Sequence, residues 1–219
     1  MEESPQPGPI AEPRRSAGIG MSVGRLEAFS DGVLAIVVTL LILDIKVPTG
    51  AHGDLGHALG EQWPQYAAYL MSFFVVGIIW LNHHATIQLL DRTTHAVQVL
   101  NLLLLLPVSV LPWPTALLAE YTKEGTAGDK RLAVVIYGVT SFAMAAGFNV
   151  LWRYILRHPE LRKRSVSSEL LATRHRRYNI GLPAYPLATL VGLASVPAFI
   201  GLMLALALLY LLPTPDVRS

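Results

Sequence analysis

The sequence contains no cysteine, so disulfides and thiolate metal sites are excluded. Charged side chains are scarce as well: they make up 15% of the 219 residues, whereas apolar side chains make up 53%. There is also no P-loop glycine pattern, which argues against a nucleotide-hydrolysing enzyme. This composition predicts an all-α integral membrane protein, because a chain this apolar must bury its runs in lipid.

The apolar residues are distributed over six stretches, which predict a six-helix membrane domain over residues 23–212. The predicted spans are 25–46, 63–89, 95–118, 132–154, 179–195 and 197–212. Residues 1–22 are rich in Pro, Gly, Ser and charge, so they are predicted to form a disordered cytoplasmic tail. Residues 213–219 are predicted to form a short C-terminal tail.

The most basic segment of the chain lies between residues 153 and 177, where only Glu160 and Glu169 are acidic. Its basic residues are Arg153, Arg157, Arg162, Lys163, Arg164, Arg174, Arg176 and Arg177. Cytoplasmic loops concentrate Lys and Arg, and an even number of spans puts both termini on one side, so we expect cytoplasmic termini. Contact with anionic lipid is compatible with this topology. Nucleic-acid binding is disfavoured because no aromatic interleaving or recognition helix accompanies the charge.

The first span carries a polar pair, Ser30-Asp31, near its start. From Arg25 to Ile45 a helix would be roughly 31 Å long, but from Gly32 only about 21 Å, too short to cross a bilayer. Ser30 and Asp31 are therefore expected inside the membrane, where an ionisable group needs a partner or a water-filled path. The alternative is an ordinary packed helix that uses Ser-Asp as its N-terminal cap.

The faces of this helix separate at about 100° per residue. Ile36, Leu40 and Leu43 share one narrow stripe, Thr39 lies roughly 60° to its side, and Asp31 points about 140° away. Next to the stripe runs a row of small residues, the pattern that allows close approach between membrane helices: Ala28, Gly32, Ala35 and Thr39. One face is therefore suited to surround something narrow, and another to make polar contacts with neighbouring helices.

Several short motifs over Arg25 to Tyr121 resemble, in the same order, the transmembrane protein 175 family of potassium channels. The motifs are Arg25-x-x-x-Phe29-Ser30-Asp31, Trp80-x-x-His83, Asp91, Asn101 and Leu111-Pro112-Trp113-Pro114-Thr115. The resemblance implies a bacterial plasma-membrane channel with a single six-helix unit. It also implies a homotetramer in which the first helix of each subunit lines the pore.

The resemblance further implies two sets of functional residues. The pore constriction and selectivity layer would comprise Ile36, Thr39, Leu40 and Leu43. A structural polar network would comprise Arg25, Phe29, Ser30, Asp31, His83 and Asn101, with Asp31 joined to the imidazole and the amide. The Thr-Val-Gly-Tyr-Gly carbonyl filter is missing, so side chains must form the narrow point. Potassium would be the permeant ion, and no enzyme activity, cofactor or metal site is expected.

Two other function classes remain open at this level. His83, His84 and His95 could hold haem or a metal in the membrane, since membrane haem sites use histidines on facing helices. Asp31 could instead relay protons in a transporter, although six helices without an internal repeat make this less favourable. The loop histidines His52 and His57 are more typical of solvated side chains than of a metal site.

Overall fold

The computed structural model describes residues 21–49 and 53–211. The predicted tails, 1–22 and 213–219, lie outside this range apart from Met21 and Ser22, and so does His52. The helices are α1 (Val23–Leu40), α2 (Leu55–Glu61), α3 (Trp63–Ile87), α4 (His95–Val110), α5 (Pro112–Glu124), α6 (Ala127–Arg157), α7 (Ser168–Asn179), α8 (Gly181–Gly192) and α9 (Val196–Leu211).

Helix α1 begins well before the polar pair. Ser22 is its N-cap, and the Ser22 side chain accepts a hydrogen bond from the backbone N–H of Arg25. After Leu40 the chain tightens into a 3₁₀ segment, Leu41–Asp44, and becomes extended at Ile45. The combined segment is about 35 Å long, enough to cross a bilayer. Ser30 and Asp31 are thus interior to the helix, and a cap at Ser30-Asp31 is excluded.

Four helical stretches are long and apolar enough to cross a membrane: Val23–Asp44, Trp63–Ile87, His95–Glu124 and Ala127–Arg157. Helix α9 is apolar but shorter, and α8 has 12 residues. The described residues contain no β-strand, only an isolated bridge between Leu90 and Arg162. The fold is that of an all-α, multi-pass integral membrane protein.

The third predicted span is divided in two by its prolines. Helix α4 ends at Val110, Leu111 is fully buried in the joint, and α5 starts at Pro112. Proline has no N–H to donate, so the helical hydrogen-bond ladder is interrupted at this point. The backbone N–H of Leu111 donates to the carbonyl of Val108, three residues earlier, as in a 3₁₀ turn.

Two helices that hydropathy did not predict lie in the links. Helix α2 lies in the link between the first two predicted spans, and α7 occupies the end of the basic segment. The basic segment is tied to the link between α3 and α4, because the N–H of Asp91 donates to Leu161 (2.9 Å) and that of Lys163 to Leu89 (2.9 Å). The basic segment and the link between α3 and α4 therefore lie at the same end of the bundle.

Other contacts define the opposite end of the bundle. Lys123 Nζ lies 2.6 Å from a carboxylate oxygen of Glu61, and this hydrogen bond lowers the pKa of Glu61. Arg131 Nε donates to the carbonyl of Leu193 (3.2 Å). Lys123 and Arg131 therefore lie at the end of the bundle opposite the basic segment.

Helix α6 lies at the centre of the bundle, in contact with α4, α5, α8 and α9. Two glycines of α6, Gly138 and Gly147, allow two of these contacts. A Cβ on Gly138 would collide with the side chain of Thr189, and one on Gly147 would press on the backbone of Leu104. Helix α1 is peripheral by comparison, because it packs on α3 and α4 and leaves its other side free.

Candidate ion pathway and polar network

Helix α1 presents one side to the bundle and the other to the outside of the chain. The inward side consists of buried residues one or two turns apart: Leu26, Ser30, Leu34, Val37 and Leu41. The predicted stripe lies on the outward side, where Ile36 is 61% exposed, Leu40 41% and Leu43 70%. This span is less buried than the other three long spans of the described residues.

The small residues predicted to allow close approach lie on the same outward side. Ala28, Gly32 and Ala35 are exposed, and nothing lies within 4 Å of the position that a Cβ on Gly32 would take. No helix of the described residues covers this row. The surface is therefore smooth enough for another helix to approach closely.

Thr39 lies beside the stripe, and its hydroxyl already donates a hydrogen bond within the helix. Its Oγ1 donates to the carbonyl of Ile36 (2.8 Å), and the side chain is exposed. Since the proton is used within the helix, the oxygen lone pairs remain available on the outward side. Such an oxygen can accept from water or contact a cation.

The 3₁₀ segment brings Leu43 directly over Leu40. In a 3₁₀ helix residues three apart eclipse, whereas in an α-helix they would be offset by about 60°. The stripe is therefore straighter at this end than a regular α-helix would make it.

A buried polar chain joins α1, α3 and α4. Ser30 Oγ donates to the carbonyl of Leu26 (2.9 Å), Asn101 Nδ2 donates to Ser30 Oγ (2.9 Å), and His83 Nε2 lies 2.7 Å from Asn101 Oδ1. Ser30, Asn101 and His83 are all fully buried. Because Asn101 Oδ1 can only accept, His83 Nε2 must carry the proton, and among residues 21–49 and 53–211 its Nδ1 has no hydrogen-bond partner.

Asp31 is not part of this buried hydrogen-bonded network, and the expectation that it contacts His83 and Asn101 is corrected. Its Oδ1 accepts a hydrogen bond from Trp80 Nε1 (2.9 Å), and the side chain is only partly buried. Consecutive residues diverge by about 100° on a helix, so Ser30 and Asp31 point at different neighbours. Ser30 takes the position that we had assigned to the carboxylate.

One turn away, a second contact that we did not predict joins α1 to α3. Glu27 Oε1 lies 2.8 Å from His84 Nδ1, and the His84 ring stacks on Trp80 with the centroids 6.0 Å apart. Glu27 and Asp31 are four residues apart, as are Trp80 and His84, so two acidic groups face two rings. This matching i,i+4 spacing is the signal by which the sequence could have shown the contact.

Arg25 and Phe29 lie on the outward side of α1. Phe29 is 49% exposed, and in the described part of the chain the Arg25 guanidinium makes no hydrogen bond or ion pair. The structure therefore does not bring either side chain to Ser30, His83 and Asn101.

The histidines are dispersed over the structure. His83 points into the polar chain, His84 to Glu27, and His95 is exposed at the first residue of α4. Within residues 21–49 and 53–211 no group of three or more His, Asp or Glu side chains is placed to hold a metal ion. His83, His84 and His95 therefore do not converge on one point.

The fold and the site define a multi-pass helical membrane protein whose first helix exposes an apolar stripe. The family described as "Endosomal/lysosomal potassium channel TMEM175" matches residues 25–112. A potassium channel of Streptomyces collinus is 48% identical over 176 residues, 80% of this chain and 84% of that one. The chain belongs to the TMEM175 family of potassium channels.

Further comparisons agree. A potassium channel of Chamaesiphon minutus is 38% identical over 192 residues, 86% of this chain and 93% of that one. The crystal structure of a lysosomal potassium-selective channel TMEM175 homolog from Chamaesiphon minutus superposes with a TM-score of 0.73 at 36% identity, covering 86% of this chain and 95% of that chain. The similarity therefore extends well beyond the motif-bearing region.

Proposed function

We propose that the chain forms a potassium-permeable pore as a homotetramer, with α1 of each subunit lining the pore. Family membership and the relatives named as potassium channels support the choice of ion. They also favour this function over the haem protein and the proton-coupled transporter. One chain presents one such helix, so a pore on a symmetry axis requires several copies, and the family resemblance implies four.

The observation that carries this proposal is the outward apolar stripe on the least covered span. Ile36, Leu40 and Leu43 are exposed although they are large and apolar. Large apolar side chains beside a row of small ones typically mark a surface that is covered in the assembly. In a symmetric oligomer the small row allows neighbouring α1 helices to approach, and the stripe then faces the axis.

An aliphatic ring of this kind acts as a hydrophobic constriction. An ion cannot exchange its hydration water for contacts with Ile36 and Leu40, so the narrow point dewets and sets the barrier to conduction. Thr39 is the nearest side chain that can offer oxygen atoms to a partly dehydrated cation. Selectivity then depends on side chains, without a carbonyl filter.

The proposed setting is a bacterial plasma membrane with both termini in the cytoplasm. The two relatives above have lengths close to that of this chain, which fits a single six-helix unit. The basic segment lies at one end of the bundle, and positive loops favour the cytoplasmic side. Exposed cations there, such as Lys163, Arg164 and Arg176, are suited to contact anionic lipid headgroups.

The direct test is potassium flux from liposomes that contain the purified full chain. We expect potassium efflux above that of empty liposomes, with sodium-loaded liposomes as the selectivity control. Size-exclusion chromatography with light scattering gives the subunit number in parallel. Absence of flux from correctly assembled oligomer would contradict the channel proposal for this chain.

Replacing Thr39 with valine tests the selectivity layer. Valine keeps the branched shape but removes the hydroxyl, so conduction should persist while the preference for potassium over sodium falls several-fold. Reversal potentials in mixed potassium and sodium solutions measure this preference. Ser109 makes the same type of hydrogen bond to its own helix at an exposed position of α4, so Ser109→Ala is the control and should leave the potential unchanged. An unaltered potential in Thr39→Val would exclude the hydroxyl from selectivity.

A further inference from the structure

Two arginines of the basic helix α7 donate hydrogen bonds to the backbone of other helices. Arg174 Nη1 donates to the carbonyl of Ala85 in the last turn of α3 (2.6 Å). Arg177 Nη2 donates to the carbonyl of Tyr210 in α9, and the Tyr210 hydroxyl donates back to the carbonyl of Arg177 (3.0 Å). Both arginines are partly buried, whereas Arg176 between them is exposed. Helix α7 therefore joins two spans that also pack against each other.

The carbonyl of Ala85 is a group that the end of α3 leaves without its helical partner. Helix α3 ends at Ile87, so the carbonyls of its last turn lack the N–H groups that a continuing helix supplies. In such a helix Ala85 would accept from the N–H of Leu89, but that N–H donates to Thr86 instead. The Arg174 guanidinium takes its place and brings a positive charge to the negative end of the helix dipole. Arg174 is thus a cap that a different helix supplies.

Helix α7 can present this cap because its own position is fixed by a buried side chain. Tyr178 is 5% exposed and packs edge-on against Phe148 and Trp152 of α6, with ring centroids 4.7 and 5.0 Å apart. Asn149 of α6 also donates to the carbonyl of Tyr178 (3.0 Å). Arg174 precedes Tyr178 by one helical turn, so the two side chains lie on the same side of α7. The anchored ring therefore sets the direction from which the guanidinium reaches α3.

We propose that α7 is a clamp on the ends of α3 and α9, with Arg174 and Arg177 as its positioning residues. The turn of α3 that Arg174 caps also carries His84, whose ring contacts Glu27 of α1. A fixed end of α3 therefore fixes the beginning of α1 as well. Under the proposed function α1 lines the pore, so the clamp positions the pore helix. Two arginines of the basic segment thus act inside the protein and are not available to lipid headgroups.

The test is hydrogen–deuterium exchange of the purified full chain in detergent, measured by mass spectrometry. The amides of residues 88–90 donate to carbonyls of the last turn of α3, so their exchange reports fraying of this end. Arg174→Met removes the donors but keeps an unbranched side chain, and it should accelerate exchange at 88–90 by about tenfold. Arg174→Lys should restore much of the protection, because its ammonium keeps the charge and a donor. Arg176→Met removes an exposed arginine and should leave this exchange unchanged.

The second arm of the clamp has its own readout. Arg177→Met should accelerate exchange in the last described turn of α9, residues 208–211, and leave residues 88–90 close to the rate of the unaltered chain. Equal exchange at 88–90 in Arg174→Met and Arg176→Met would overturn the clamp. So would an acceleration of the same size throughout the chain in Arg174→Met, since that result describes a general loss of stability.

A double-mutant cycle tests the step from α7 to α1. If the clamp acts through the last turn of α3, His84→Ala should lower Tm less in Arg174→Met than in the unaltered chain, because that turn is already loose. In the Arg176→Met background the decrease should equal that in the unaltered chain. Additive decreases in Arg174→Met would overturn the positioning of α1. Exchange and Tm are measured without ion flux, so their outcome is independent of conduction.

Discussion

Replacing Ile36 or Leu40 with asparagine should raise basal cation flux by about tenfold or more and weaken the preference for potassium. A polar amide at the stripe offers hydrogen bonds to water, so the constriction stays wet and the barrier falls. A tenfold increase corresponds to about 1.4 kcal/mol of barrier. Single-channel recording or liposome flux on the two variants measures the change.

Leu41 and Ile42 are the matched controls for this experiment because they adjoin Leu40 but point elsewhere. Leu41 is fully buried, so Leu41→Asn should reduce the yield of assembled protein without opening the pore. Ile42 is 47% exposed, close to the 41% of Leu40. Ile42→Asn therefore tests whether a polar residue at any exposed position near Leu40 is sufficient to raise cation flux. If Leu41→Asn or Ile42→Asn conducts more while Ile36→Asn and Leu40→Asn behave like the unaltered chain, the pore face is assigned wrongly.

The long helices could be predicted from hydropathy because bilayer thickness sets their length. The predicted start of the second span coincides with Trp63, where α3 begins, and the start of the third with His95, where α4 begins. Helices α2 and α7 were missed because they are short and lie in the links, where hydropathy carries no signal. The division of the third span at Leu111 was not predicted, because hydropathy is continuous across it.

The site was predictable to the extent that it depends on one helix. Periodicity near 100° per residue placed Ile36, Leu40 and Leu43 on one stripe, and the structure leaves that stripe exposed. Which neighbour faces Asp31 depends on how α1 is rotated against α3, and a single sequence does not contain this rotation. The pairing of Asp31 with Trp80, and the placing of Ser30 beside Asn101, therefore needed the fold.

A helix can be read from a local pattern, whereas a site between helices cannot. The same limit applies to the contact between Glu27 and His84, although their i,i+4 partners gave a local hint.

Replacing His83 with alanine should destabilise the assembled protein by about 3 kcal/mol while changing ion preference little. The substitution removes the donor to Asn101 Oδ1, and an unsatisfied buried acceptor typically costs about 1–3 kcal/mol. The volume left by the imidazole adds a cavity term, since His83 is fully buried. Loss of oligomer after heating, followed by size-exclusion chromatography, measures the stability, and the reversal potential of the surviving protein measures selectivity.

His84→Ala is the matched control, because it removes an adjacent histidine whose side chain is 40% exposed. His84→Ala should destabilise the assembled protein by well under half as much as His83→Ala, since Glu27 regains contact with water or lipid headgroups. Asp31→Asn should also have a smaller effect than His83→Ala, because Asp31 is only partly buried and an amide oxygen can still accept from Trp80. Equal losses of stability in His83→Ala and His84→Ala would contradict this explanation. The destabilisation would then not come from breaking the buried hydrogen bonds between Ser30 and His83. A well-assembled His83→Ala oligomer with altered ion preference would instead place this histidine in the ion path.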